Sequence, residues 1–240
     1  MTIPDSVTSI GGSAFRECIS LERVTISDSV TSIGYSTFSE CTSLSRIKIP
    51  ESVTSIGGYA FSECSELSQI VFTEGLKSIG DYAFSLCSSL RHVVIPEGVE
   101  SIGNDTFSLC SSLHTVILPD GITSLGHSVF DGCQDLSVVY FKGSRPNSVG
   151  WHPFTGANNG AKAMVTSAYL SSFGGVGRLW NELRVVEAPS DSFFSNMTEA
   201  GLAGEDALLS ADPEHRGVKN VVAYALGSVS YTHLTLPTIA

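Results

Sequence analysis

One period governs most of this chain. Six cysteines, Cys18, Cys41, Cys64, Cys87, Cys110 and Cys133, stand 23 residues apart. Phe15, Phe38, Phe61, Phe84, Phe107 and Phe130 keep the same step, as do Leu21, Leu44, Leu67, Leu90, Leu113 and Leu136. Gly11, Gly34, Gly57, Gly80, Gly103 and Gly126 make a fourth column. A fixed period of this length marks residues 1–142 as six stacked copies of one supersecondary unit. A coil this short cannot bury an apolar face alone, so the copies must cover one another in a repeat solenoid.

Each column has a local cause. Leu67-x-x-Ile70-x-Phe72 repeats apolar side chains with period two, which predicts a strand with Ile70 and Phe72 turned inward. One such strand per coil builds a parallel sheet. Pro96-Glu97-Gly98 ends the strand, because Pro cannot donate to a ladder and Gly permits the turn. A second short extended segment, Val99-Glu100-Ser101-Ile102, is expected next. Gly103 then breaks it, and Asp105 to Cys110 is expected to make a short helical or 3-10 turn that drives Phe107 into the core.

The unit I-P-x-x-V-T-S-I-G-x-x-A-F-x-x-C-x-x-L, as it stands from Ile49 to Leu67, closely resembles the repeats of the BspA-like leucine-rich-repeat surface proteins. The resemblance covers residues 1–142 and implies a right-handed, β-dominated leucine-rich-repeat coil of the α/β class. It also implies a secreted or cell-surface bacterial setting and a role in adhesion, with a protein or glycan as ligand. Fold alone does not assign that role.

Residues 143–186 read as a degraded seventh repeat and cap. Val149-Gly150 and Phe154 echo Leu125-Gly126 and Phe130 with one residue inserted, and Leu183 to Val186 is the expected closing strand. Trp151 and Trp180 are expected to shield the last face, since a terminal repeat must meet water. Residues 187–228 change character and read as a linker or C-terminal segment. Asp212-Pro213-Glu214-His215-Arg216-Gly217 is similar to an aspartate-rich, calcium-type segment of secreted bacterial proteins, but Glu214 and Arg216 stand in two of its Asp positions and Arg216 opposes a cation. Val229 to Thr238 resembles the translation of a sequencing-library adapter and is read as a non-native tail. Met1 falls where Val24 and Ile47 fall in later coils, so the chain is expected to start within a strand of a longer parent.

The chemistry-bearing columns favour structure over catalysis. Every cysteine gap is 23, which lacks the local spacing of a zinc site. Parallel Cβ vectors on stacked coils oppose disulfides, so a column of buried thiols is expected. The Ser9, Ser32, Ser55, Ser78, Ser101 and Ser124 column recurs in equivalent surroundings without a nucleophile elbow, and a hydroxyl ladder to the neighbouring coil is expected. Gly174-Gly175-Val176-Gly177 lacks a P-loop Lys and carries no phosphate role. Asp5, Asp28, Glu51, Glu74, Glu97 and Asp120 form a carboxylate column at the strand-ending turn, with turn chemistry as its origin and a bridging divalent cation as the alternative. No cofactor, resident metal or catalytic constellation is expected.

A net charge of −11 without a Lys/Arg cluster argues against nucleic acid as partner, and no apolar run is long enough to insert in a membrane. The informative positions are those that vary on the outward side of the main strand. One column reads Thr25, Lys48, Val71, Val94, Ile117, Tyr140 and its neighbour Arg23, Arg46, Gln69, His92, Thr115, Val138. Arg23, Arg46, Lys48, His92, Val94, Ile117, Val138 and Tyr140 are therefore the candidate binding face, with Val94, Ile117, Val138 and Tyr140 as an exposed apolar patch. Burial of that patch under residues 143–228 is the competing expectation. At the level of function, a binding module competes with a structural spacer in a larger protein.

Overall fold

The computed structural model describes residues 1–188. The expectations placed on the chain beyond them, the calcium-type segment and the adapter-like tail, lie outside the described residues. The molecule is a solenoid whose coils are joined along two narrow faces of parallel strands, the main face divided into a two-stranded and a six-stranded sheet and the second face a single six-stranded sheet. On the main face, Arg46–Lys48 pairs with Gln69–Val71. Further along, His92–Val94, Thr115–Leu118, Val138–Phe141, Lys162–Val165 and Leu183–Glu187 pair in succession. On the second face, Ser32–Ile33, Ser55–Ile56, Ser78–Ile79, Ser101–Ile102, Ser124–Leu125 and Ser148–Val149 stack in register. Each residue thus sits directly over its counterpart in the previous coil.

That register turns the sequence columns into physical columns. The Phe rings from Phe15 to Phe154 form one continuous stack, with neighbouring centroids 5.2–5.6 Å apart and planes within 2–11° of parallel. Centroids spaced slightly wider than the strand repeat of about 4.8 Å mean offset stacking, the favoured arrangement for parallel rings. Beside them run the thiols: Cys41 donates its S–H to the Phe15 carbonyl at 3.1 Å, and Cys64, Cys87, Cys110 and Cys133 repeat the bond to Phe38, Phe61, Phe84 and Phe107. The Gly column has a further cause beyond ending the second strand. A Cβ on Gly126 would lie 2.6 Å from the Gly103 carbonyl carbon, so only glycine lets the two backbones approach.

The turn before each Cys is 3-10-like at every second residue only. Ala83, Ser85 and Cys87 donate backward to Gly80, Tyr82 and Phe84. The N–H groups between them leave the coil altogether: Tyr82, Phe84 and Leu86 donate to Asn104, Thr106 and Ser108 of the next coil at 2.8–2.9 Å. Axial hydrogen bonding here requires two left-handed residues per turn, such as Tyr82 at φ 57° and Leu86 at φ 62°.

Past the sixth coil the pattern loosens and closes. The seventh coil supplies Ser148–Val149, Phe154 and the strand Lys162–Val165. A 3-10 helix, Ser167–Phe173, and the antiparallel pair Leu179–Trp180 with Leu183–Glu187 then cover the end. Trp180 is the plug, packed edge-on to Phe141 and Phe173 and tilted against Phe154. Trp151 does not share that role. It is 77% exposed, because it stands over His127 in the outward column of Asp81, Asn104 and His127, where its N–H donates to His127 Nδ1 and its ring meets the His127 ring at 83°.

The Phe stack is the most load-sensitive element. Phe84→Ala is expected to lower stability by about 3–5 kcal/mol, read as a fall in the urea midpoint, and an unchanged midpoint would remove the stack as the organising contact.

Candidate functional site

The left-handed residues form two parallel rails on the outside of the turns. One rail is Ser36, Tyr59, Tyr82 and Asp105, and the other is Glu40, Glu63, Leu86 and Leu109, with φ between 50° and 62° throughout. Between them lies a floor of Ser39, Ser62, Ser85 and Ser108, all buried. The rails and floor enclose a groove of about 580 Å³ that runs along the solenoid from Arg16 to Asp131, with Tyr35 at its side. Tyr59 and Tyr82 stack at 4.7 Å with planes 10° apart, while Tyr35 is tilted by 59° against Tyr59. Tyr82 donates its hydroxyl to Asp105, and that hydrogen bond raises the phenol above its ordinary pKa. At the other end the Arg16 guanidinium lies 2.8 Å from Glu40 and 3.3 Å from Glu17.

This groove was not among the sequence candidates. Its signal is present in the chain as Tyr59 and Tyr82, aromatic and one period apart, in the same turn as a second variable column that reads Glu40, Glu63, Leu86, Leu109. The half-buried position of Tyr59 and Tyr82 beside the groove depends on the left-handed geometry, which periodicity does not reveal.

The outward face of the main sheet divides into two halves. Arg23, Arg46 and Lys48 are exposed, and His92 and Val94 are half-buried. Ile117, Val138 and Tyr140 are 1%, 5% and 0% exposed, so the expected exposed apolar patch is corrected to a buried one. Strand alternation does turn them outward, and register places Val94, Ile117, Tyr140 and Met164 in one row. They form no part of the main core cluster. A contiguous apolar row of this kind is costly in water, at about 25 cal/mol per Å², and the row is withdrawn from it. Arg46, His92 and Tyr140 are each already engaged in an interaction.

The remaining columns act structurally. Glu74 accepts the Glu97 backbone N–H at 3.1 Å, and Glu97 accepts that of Asp120 at 3.4 Å while Lys142 approaches it at 2.6 Å. These carboxylates tie turn to turn, and among the described residues no three acidic, His or Cys groups are placed to hold an ion. A parallel ladder runs from Asp81 to the Asn104 N–H, from the Asn104 side chain to the His127 N–H, and from His127 Nδ1 to the Trp151 N–H, at 2.7–2.8 Å. The Ser32, Ser55, Ser78, Ser101 and Ser124 hydroxyls depart from expectation: among the described residues none makes a hydrogen bond. They point outward from the short second strands, and the coil-to-coil hydroxyl bonds come instead from Ser45, Ser68, Ser88 and Thr123.

With this geometry in hand, comparison with known proteins is direct. The model of the BspA type leucine rich repeat region matches residues 1–113 and 66–169, in six copies. This chain belongs to the BspA-type leucine-rich repeat family. Among solved structures, the Treponema pallidum leucine rich repeat protein is similar at 36% identity and TM-score 0.61, over 65% of this chain and 75% of that one. A leucine rich cell surface protein of Faecalibacterium prausnitzii is similar at 33% identity and TM-score 0.59, over 68% of this chain and 46% of its own. The BspA-type chain therefore spans less than half of the Faecalibacterium protein. No curated protein matches the sequence. Among the described residues no helix is long and apolar enough to cross a membrane.

Two outcomes test this description of the BspA-type coils. Burial raises the thiol of Cys41 to about 11 and that of Cys110 to about 12 and lifts Cys64, Cys87 and Cys133 also, so these remain protonated at neutral pH. A thiol reagent at neutral pH is expected to label only the half-buried Cys18 in the native protein and all six cysteines in denaturant. Labelling of several in the folded state would contradict the buried ladder. Leu109→Gly, at φ 59° and 48% exposed, relieves left-handed strain and is expected to hold or raise stability by up to about 1 kcal/mol. A drop in melting temperature would show that the rail side chain is structural.

Proposed function

We propose that this BspA-type chain is a non-enzymatic binding and adhesion module of a secreted or cell-surface bacterial protein, and that its ligand is a protein or glycan. One observation carries the reading. A residue with positive φ is cheapest as Gly or Asn, and in the column of Glu40 and Leu109 the sixth and seventh coils do use Gly132 and Gly156, while the column of Tyr59 and Tyr82 keeps Ser128 and His152 there. Coils two to five instead hold Tyr59, Tyr82, Glu40, Glu63, Leu86 and Leu109 in that conformation. Strain retained on side chains that are half-buried (Glu40, Tyr59, Tyr82) or exposed (Glu63, Leu86, Leu109) beside a groove points to use of those side chains. The family and its cell-surface neighbours are consistent with such a use.

A structural spacer is the second reading, favoured by the unbroken Phe and Cys columns, which need no ligand to hold a rod together. The full chain immobilised against a panel of extracellular matrix proteins and glycans separates the two. The binding module predicts specific capture that is lost in a Tyr82→Ser, Leu109→Gly double variant of undiminished melting temperature, with Arg46→Ser, Lys48→Ser as the sheet-face comparison. Capture of nothing by the parent chain would leave the spacer.

A further inference from the structure

The groove between the rails has a length, a charge and a ring geometry that together specify what fits it. From the coil of Arg16 to that of Asp131 are five coil steps of about 4.8 Å, roughly 24 Å in all, which an extended polypeptide covers with about seven residues. Its walls bring Glu40, Glu63, Asp105 and Asp131 against a single cation, Arg16. That arginine occupies the column held by Ser39, Ser62, Ser85 and Ser108 in the following coils, and its guanidinium bridges Glu17 and Glu40. The chain thus places one guanidinium in its own groove, and the coils beyond offer the same setting with a small hydroxyl where the cation would be. Among the described residues Glu63 and Asp131 face no basic partner.

The rings discriminate between ligand classes. A sugar stacks on an open aromatic face, but Tyr59 and Tyr82 are stacked on each other along the axis, which closes one face of each ring, Tyr35 lies against Tyr59, and the Tyr82 hydroxyl is engaged by Asp105. Tyr35, 60% exposed and tilted, keeps an open face at the Arg16 end, suited to a cation over the ring. Leu86 and Leu109, 39% and 48% exposed, offer apolar ground for the methylene stems of long basic side chains.

We propose that the turn-side groove is the docking site for a basic peptide segment, an extended stretch of about seven residues carrying Arg or Lys, presented by a partner protein. The proposal rests on the binding-module reading and narrows its ligand. Charged rims of this kind set specificity and encounter rate, so binding is salt-sensitive.

The test is fluorescence polarisation with the full chain at about 0.15 M salt. The probes are a labelled heptapeptide of alternating Arg and Ser, its Glu-for-Arg counterpart, and a labelled N-acetylglucosamine hexasaccharide. Glu63→Gln with Asp105→Asn is expected to weaken the Arg peptide about tenfold, equivalent to roughly 1.4 kcal/mol. Glu51→Gln with Glu100→Gln, the same charge change at exposed positions outside the groove, is expected to leave it within about twofold. Arg16→Ser, which extends the serine floor and releases Glu40, is expected to tighten binding about two- to threefold. Equal loss in the two acidic pairs would overturn the proposal, since the peptide would then be sampling only the overall negative field. Binding of the hexasaccharide, lost on Tyr82→Ser, with none of the Arg peptide would also overturn it while leaving the binding module standing. If neither probe binds and the wider panel captures nothing, both fall.

Discussion

Axial register is the constraint on which the rest of this molecule depends. Each coil must set its N–H and C=O groups at the height of the next coil's partners, at the two strand faces and at the turn, or the apolar interior has no continuous wall. The short second strands, two residues each, would not survive alone. They persist because the same register repeats six times and because the Gly column lets the backbones close to contact.

Register explains why identical side chains recur. A ring placed on a ring, a thiol on a carbonyl and a carboxylate on the next turn's N–H are contacts that one residue type makes with its own copy, so a favourable choice in one coil is favourable in all. Where the copies cease to match, the ladder adapts with a new acceptor, as Asp81, Asn104 and His127 do in succession. The cap follows the same logic in reverse. Trp180 covers the last ring because no eighth coil is present to do so among the described residues.

The turn is where this economy meets a cost. Sending alternate N–H groups to the neighbouring coil forces two residues per turn into the left-handed region, and the side chains held there project as rails. A groove therefore follows from the hydrogen-bond pattern of the solenoid itself, while its chemistry is open to change from coil to coil because rail residues contribute little to the core. Invariant packing columns and variable rail columns within this chain are thus set apart by only a few residues of sequence.

The 23-residue period, the inward Phe, Cys and Leu columns and the parallel strands were legible in the chain, because one-dimensional periodicity maps directly onto stacking when every contact is with the neighbouring copy. Strand alternation likewise assigned Ile117 and Tyr140 to the outer side of the sheet. Their burial was not legible, because outwardness is a local property and accessibility depends on everything else that packs nearby. The groove was hidden for a related reason: Tyr59, Tyr82, Glu63 and Asp105 are separated by turn residues in sequence, and only left-handed backbone geometry lifts them into facing rows. The sequence by itself determined which residues repeat and hence the solenoid; the tertiary structure decided which of the repeated positions reach solvent together, since that depends on φ angles and register that no residue specifies alone.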